Sequence, residues 1–180
     1  MIYLAELFCA VPLLGAVCIL MARVSPENLP RMEKLCRHRA AGLLIALPCT
    51  LLCVPLAVPV SPDFLVNWLF PLAAALPVLG YFHLDYYAAR GFSFALILLA
   101  YDVIHGTFEL HTPGAGAVTV LMLLQGIAGI WLSARPCTLR DLFRKAAASQ
   151  RWKAAAAGCT ALWCAAVLYV LIMTIGGYAQ

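Results

Sequence analysis

A chain of 180 residues that is 64% hydrophobic, 11% charged and has a mean hydropathy of +0.93 lies far from the composition of soluble domains, which carry roughly 25% charged residues. This composition excludes an ordinary soluble enzyme; at roughly 20 residues per span it allows five to seven transmembrane helices in a single all-α polytopic domain, residues 1–180. The net charge of +4 does not require a nucleic-acid partner, because every Lys and Arg falls in one of three connections, where the positive-inside rule accounts for it.

Ile2 to Ala22 is predicted as the first span. No basic segment precedes it and its first positive charge, Arg23, follows the apolar run, so it reads as an uncleaved span with its N-terminus outside. Arg23 to Arg39 is the first basic connection, in which Ser25-Pro26 and Pro30 are expected to break the helix. Residues 40–60 form the second span and contain Pro48, Pro55 and Pro59. Such prolines free backbone carbonyls that a neighbour or water must satisfy, so they mark either a cavity or a kink that packs well.

Residues 67–84 are the third span, with aromatic residues at both ends as in interfacial belts. His83 and Asp85 follow at its inner end as a secondary inner site, with Asp85 placed to pair with Arg90. Residues 91–110 are the fourth span and residues 117–134 the fifth, where Gln125, Gly126 and Gly129 read as a helix-packing seam. Residues 138–151 have apolar positions Leu139, Leu142, Phe143 and Ala146 opposite a basic face. They are expected to lie in the interface against anionic headgroups, or to dock a cytosolic partner. Residues 154–175 are the last span, and Gly176 to Gln180 a tail outside. All three basic connections then fall on one side, as in the cytoplasmic (inner) membrane of a bacterium. The eight cysteines show no CxxC and no Cys/His metal spacing, so they read as small packing residues, with Cys49 and Cys53 one turn apart as the pair worth testing.

The fourth span stands out because it carries Asp102, His105 and Glu109. An Asp at the centre of a membrane helix costs roughly 2.5–3.5 kcal/mol even on insertion scales. At 100° per residue the three groups lie at about 0°, 300° and 340°, one sector of about 60°. Glu6 on the first span lies at comparable depth, His111 and Asp63 sit at the outer surface, and no Lys or Arg is on that side. The set would titrate together. Gly91, Ala95 and Leu98 continue the Asp102 face toward the basic side.

Three uses fit this face. It could gather a proton, cation or small polar solute and pass it inward, with Asp102, His105, Glu109, Glu6 and His111 as the pathway. Asp102, His105 and Glu109 could ligate a divalent metal, which opens membrane-embedded metal-dependent catalysis. Otherwise the acids hold helices together in a non-catalytic transmembrane scaffold subunit, in a homo-oligomer or with other membrane subunits. A haem bridged by His83 and His105 is disfavoured, since their depths differ by roughly 20 Å at 1.5 Å per residue. Hydrolysis lacks a well-placed nucleophile, with Ser93 distant along the helix and Cys9 alone near the right depth.

Six spans with both ends outside in about 180 residues resemble the layout of the amide and urea channel family. The resemblance is architectural: the polar residues of that family's first span are not evident in IYLAELFCAVPLLGAVCILMA, so it implies no site residue here. Transport or conduction of a small polar solute, proton or cation is the leading expectation, with no catalytic residue and no resident cofactor.

Overall fold

A computed structural model describes the backbone of residues 2–109 and 111–178 and the side chains of residues 7–109 and 111–176. Among the described residues there are eight α-helices and no strand: α1 (Ile2–Arg23), α2 (Leu29–Arg37), α3 (Arg39–Ala57), α4 (Asp63–His83), α5 (Tyr87–Glu109), α6 (Ala115–Ala134), α7 (Cys137–Ala148) and α8 (Gln150–Tyr178). A 3-10 turn, Val58–Val60, closes α3. Among these residues five stretches are long and apolar enough to cross a membrane: Arg39–Val60, Asp63–His83, Tyr87–Glu109, Ala115–Ala134 and Gln150–Gly176. The all-helical architecture expected from composition is present, with five of the six expected spans long and apolar enough to cross a membrane among the described residues. The described apolar part of α1, Leu7–Arg23, is shorter. Leu110, expected to end the fourth span, and the tail residues Ala179 and Gln180 lie outside the described residues.

The boundaries differ from expectation where local chemistry overrides hydropathy. Pro30, expected as a breaker, sits in the first turn of α2. Proline is tolerated there, because that turn's N–H groups have no helical acceptor and φ is already suitable. The first basic connection therefore contains a helix the sequence reading did not foresee. α4 begins at Asp63 rather than Asn67, with the carboxylate in the first turn, where the helix dipole favours it. α8 begins at Gln150, so Arg151 and Lys153 belong to its first turn rather than to a loop. An amphipathic helix, expected at 138–151, is present as α7, ending at Ala148, with Leu139, Phe143 and Ala146 buried against the bundle.

α5 is the centre of the bundle: it packs against α6 and α3, and also touches α1, α2 and α8. Its contact surface mixes small side chains, with Ala88, Ala89, Gly91, Ser93, Ala95, Ala100 and Gly106 all buried, with larger ones such as Phe92, Leu96, Leu99 and Val103. Small residues let membrane helices approach until their backbones touch, which replaces the missing hydrophobic driving force with dispersion contacts. At the α3 seam a Cβ on Gly42 would lie 2.6 Å from the Tyr87 carbonyl carbon, and one on Gly91 2.9 Å from the Gly42 carbonyl oxygen. At the α6 seam a Cβ on Gly129 would lie 2.9 Å from the Ser93 carbonyl oxygen. Fully buried Gln125 crosses the same seam, its amide donating to the Leu96 carbonyl at 3.2 Å.

α1 and α8 are antiparallel neighbours joined by thiols: Cys18 donates to the Ala157 carbonyl at 3.5 Å and Cys164 to that of Val11 at 3.8 Å. These two cysteines serve as packing residues that also spend their weak donors.

α4 hangs on the outside of α3. Pro77 has no N–H, so the Ala73 carbonyl one turn earlier loses its helical donor. The Thr50 hydroxyl of α3 lies 2.8 Å from that oxygen, and 2.9 Å from the Leu47 carbonyl of its own helix. The buried Tyr87 phenol donates to the Pro77 carbonyl at 2.7 Å. Pro77 thus leaves an acceptor, the Ala73 carbonyl, that a neighbouring hydroxyl takes, which is how membrane helices tolerate proline.

Candidate functional site

The acidic face of α5 divides in the folded chain. Asp102 turns inward and is 8% exposed. His105 and Glu109 turn outward, with side chains 55% and 68% exposed, and pair with each other one turn apart, His105 Nδ1 to Glu109 Oε1 at 3.4 Å. The Tyr101 ring flanks His105, with centroids 5.8 Å apart. His105, about 60° round the helix from Asp102, is on the edge that leaves the bundle, whereas Glu109, only about 20° from Asp102 in angle, is exposed as the last residue of α5. His111 has a left-handed backbone, φ 48°, and is exposed; its protonated Nδ1 donates to the Glu109 carbonyl at 3.1 Å. The side chain of Glu6 lies outside the described residues. Among the described residues no three His, Cys, Asp or Glu side chains come together as a metal-holding group.

The continuation of the Asp102 face toward the basic end is filled by α3. Gly91 meets the Gly42 backbone, and Ala95 and Leu98 are buried against Cys49, with Cys53 and Ile45 beside them. Ser93 is fully buried and its hydroxyl donates to the Ala89 carbonyl of its own helix at 2.7 Å. Cys9 is exposed on α1.

The basic end is more densely built than the sequence suggested. The turn between α4 and α5 places Tyr86 in the left-handed region, φ 54°. A bulky side chain seldom adopts that conformation, and here it projects the phenol between α2 and α7. Arg37 of α2 donates to the Tyr86 hydroxyl oxygen at 2.8 Å and Arg140 of α7 at 3.1 Å. Both guanidinium groups also lie over the ring, 4.8 Å and 6.0 Å from its centroid. Glu33 of α2 binds Arg144 of α7 at 2.5 Å, and Asp141 binds Arg140 at 3.2 Å. The hydrogen bond from Arg144 holds the Glu33 carboxyl below its ordinary range. Hydrogen bonds to Glu33 and Asp141 raise Arg144 and Arg140 above theirs. Between these helices Cys36 is buried, which pushes its thiol up to about 11.

Asp85 does not pair with Arg90. Arg90 lies on the first turn of α5 facing α6, and its Nη1 donates to the Ser133 carbonyl at 3.3 Å. That carbonyl belongs to the C-terminal turn of α6, the negative end of a helix dipole, which attracts the guanidinium away from the exposed carboxylate. Asp85 instead lines an open recess of about 340 Å³ with Arg37, Arg39, Leu84 and Tyr86, and His83 is exposed at the end of α4. The sequence marked this region as basic connections with a secondary inner site at His83 and Asp85. The convergence of Arg37 and Arg140, 103 positions apart in the chain, on one tyrosine carries no local signal.

No protein-family model, curated protein or solved structure matches this chain.

Proposed function

We propose that this chain is a non-catalytic transmembrane subunit that scaffolds a membrane assembly, with α1 completing a set of six spans, both termini outside and α2 and α7 at the cytoplasmic face. A bacterial cytoplasmic membrane fits the confinement of all Lys and Arg to one end. The observation that carries the reading is the closure of the Asp102 face. Below Asp102, the positions that a transported solute would follow are occupied by backbone and side chains of α3. The acid is then a buried group of the helix contact and not a step on a pathway. The bulky outward side chains of α4, Phe64, Trp68, Phe70 and Phe82, supply surface for lipid or a neighbouring subunit.

Transport of a proton, cation or small polar solute is the second reading, favoured by the position of a buried carboxyl within a span. Proteoliposome flux separates the two. Purified wild-type protein is expected to move no proton, divalent metal, urea or small amide, and mild extraction is expected to recover it with a membrane partner. Flux in the wild type that disappears in Asp102→Asn would overturn the scaffold reading.

A further inference from the structure

We infer that the recess at the α4–α5 turn binds the phosphate of an anionic phospholipid, with Arg37 and Arg39 as its ligands and an acyl chain lying in the neighbouring apolar cleft lined by α1, α2, α3, α5 and α7. The inference rests on the proposal above only in placing this end of the bundle at a membrane surface.

Four observations converge on it. First, the recess has room for a headgroup, about 340 Å³, and two of its five lining residues are arginines. Guanidinium is the side chain best matched to phosphate oxygens, because its donors form a planar fork. Second, these guanidinium groups are short of acceptors. Arg37 hydrogen-bonds only the neutral Tyr86 hydroxyl, which also receives Arg140, and Arg39 has no hydrogen-bond or ion-pair partner among the described residues. Of the nearby carboxylates, Glu33 is used on Arg144 and Asp141 on Arg140, while Asp85 lines the recess itself and leaves it one positive charge in excess. Two like charges brought to one uncharged oxygen make a place for a negative ligand.

Third, the site is held in shape. Tyr86 is fixed by a left-handed turn and clamped between two helices, so the donors on Arg37 are oriented before a ligand arrives. Fourth, chain neighbours of the recess residues line an apolar cavity of about 160 Å³. Cys36 immediately precedes Arg37, and Ala41 and Ala88 lie two positions after Arg39 and Tyr86, with Leu13, Ile45 and Phe92 also in its lining. Basic residues at the interface above an apolar cleft match the two halves of a lipid, and basic pockets between transmembrane helices on the cytoplasmic side are where anionic headgroups bind. A free phosphate would use the arginines and leave the cleft without a role.

Native mass spectrometry of the full-length protein tests the inference, after release from nanodiscs of phosphatidylcholine alone or mixed with phosphatidylglycerol. Wild type is expected to retain phosphatidylglycerol in preference to phosphatidylcholine. Arg39→Gln removes a charge that makes no internal hydrogen bond, so the fold is kept, and retention is expected to fall about tenfold, the loss of one charge-assisted hydrogen bond. Arg37→Gln should act in the same direction. Arg151→Gln, the same loss of charge at an exposed position on α8, should leave retention unchanged. An equal loss in Arg151→Gln would mean diffuse attraction and overturn the site. Displacement of the lipid by millimolar inorganic phosphate or glycerol phosphate would assign the arginines to a free phosphate and overturn the lipid. Neither outcome depends on flux or on a recovered subunit, so failure here is distinguishable from failure of the scaffold reading.

Discussion

α4 and α5 are consecutive apolar helices of 21 and 23 residues, joined by a short turn and almost equal in mean hydropathy. In the most apolar stretch of α5, 61% of residues are buried within the bundle, against 17% for α4. Hydropathy therefore says that a helix belongs in a membrane and nothing about its depth in the bundle. Side-chain size makes the difference. α5 intersperses alanine, glycine and serine among its buried Phe92, Leu96, Leu99 and Val103, so backbones meet at several points, whereas α4 carries Phe64, Trp68, Phe70 and Phe82 outward and buries only Ala73 and Pro77 among the described residues. Lipid tails are as apolar as leucine, so large side chains gain little by moving from lipid to protein, while small ones gain contacts that lipid cannot reproduce.

The largest expected effect lies on the α5 seam. Gly42→Leu would force a Cβ to within 2.6 Å of the Tyr87 backbone, and overpacking of this kind should cost about 3 kcal/mol or more. Thermal unfolding in detergent should show it, while Gly158→Ala, where an added Cβ meets nothing within 4 Å, should leave the midpoint unchanged or slightly raised. A tolerated Gly42→Leu would break the contrast between the two helices. Next comes the attachment of α4. Thr50→Val removes the hydroxyl beside the Ala73 carbonyl at the Pro77 interruption, at a cost of about 1–2 kcal/mol. The loss should appear first as protease sensitivity or hydrogen exchange in α4, with α5 still protected.

Smaller again is the outward edge of α5. His105→Ala and Glu109→Gln dissolve an exposed i,i+4 pair, and each should change stability by less than about 0.5 kcal/mol. A loss of several kcal/mol would show that this edge is covered in the assembled protein.

The smallest expected effect concerns thiols at the basic end. Exposed Cys137 should react with maleimide well before buried Cys36. Cys36 is raised in the folded state, so its contribution to stability is complete below the ordinary thiol value near 9 and disappears as pH rises through about 11. Labelling of Cys36 at neutral pH at the rate of Cys137 would mean that α2 does not stay docked on α7.

Much of the outer shape was legible. Long apolar runs marked the spans, the opposition of Leu139, Leu142, Phe143 and Ala146 to basic residues marked α7, and Gln125 with Gly129 marked the α5–α6 seam. α2 was not legible, because a proline counts as a breaker by position in sequence and as a helix starter by position in a turn. The acidic face was half legible. Helical periodicity gathered Asp102, His105 and Glu109 into one sector, but which edge of the sector faces protein depends on where α3 and α6 lie.

By itself the sequence determined that this is an all-helical membrane chain with its positive charge gathered at one end, because both follow from local composition and from spacing along a single helix. Tertiary structure alone decided that α5 is central and α4 peripheral, that Asp102 is buried while His105 and Glu109 turn away, and that Arg37 and Arg140 meet on Tyr86. These depend on contacts between residues far apart in the chain, made possible by backbone approaches at Gly42, Gly91 and Gly129 that hydropathy does not encode.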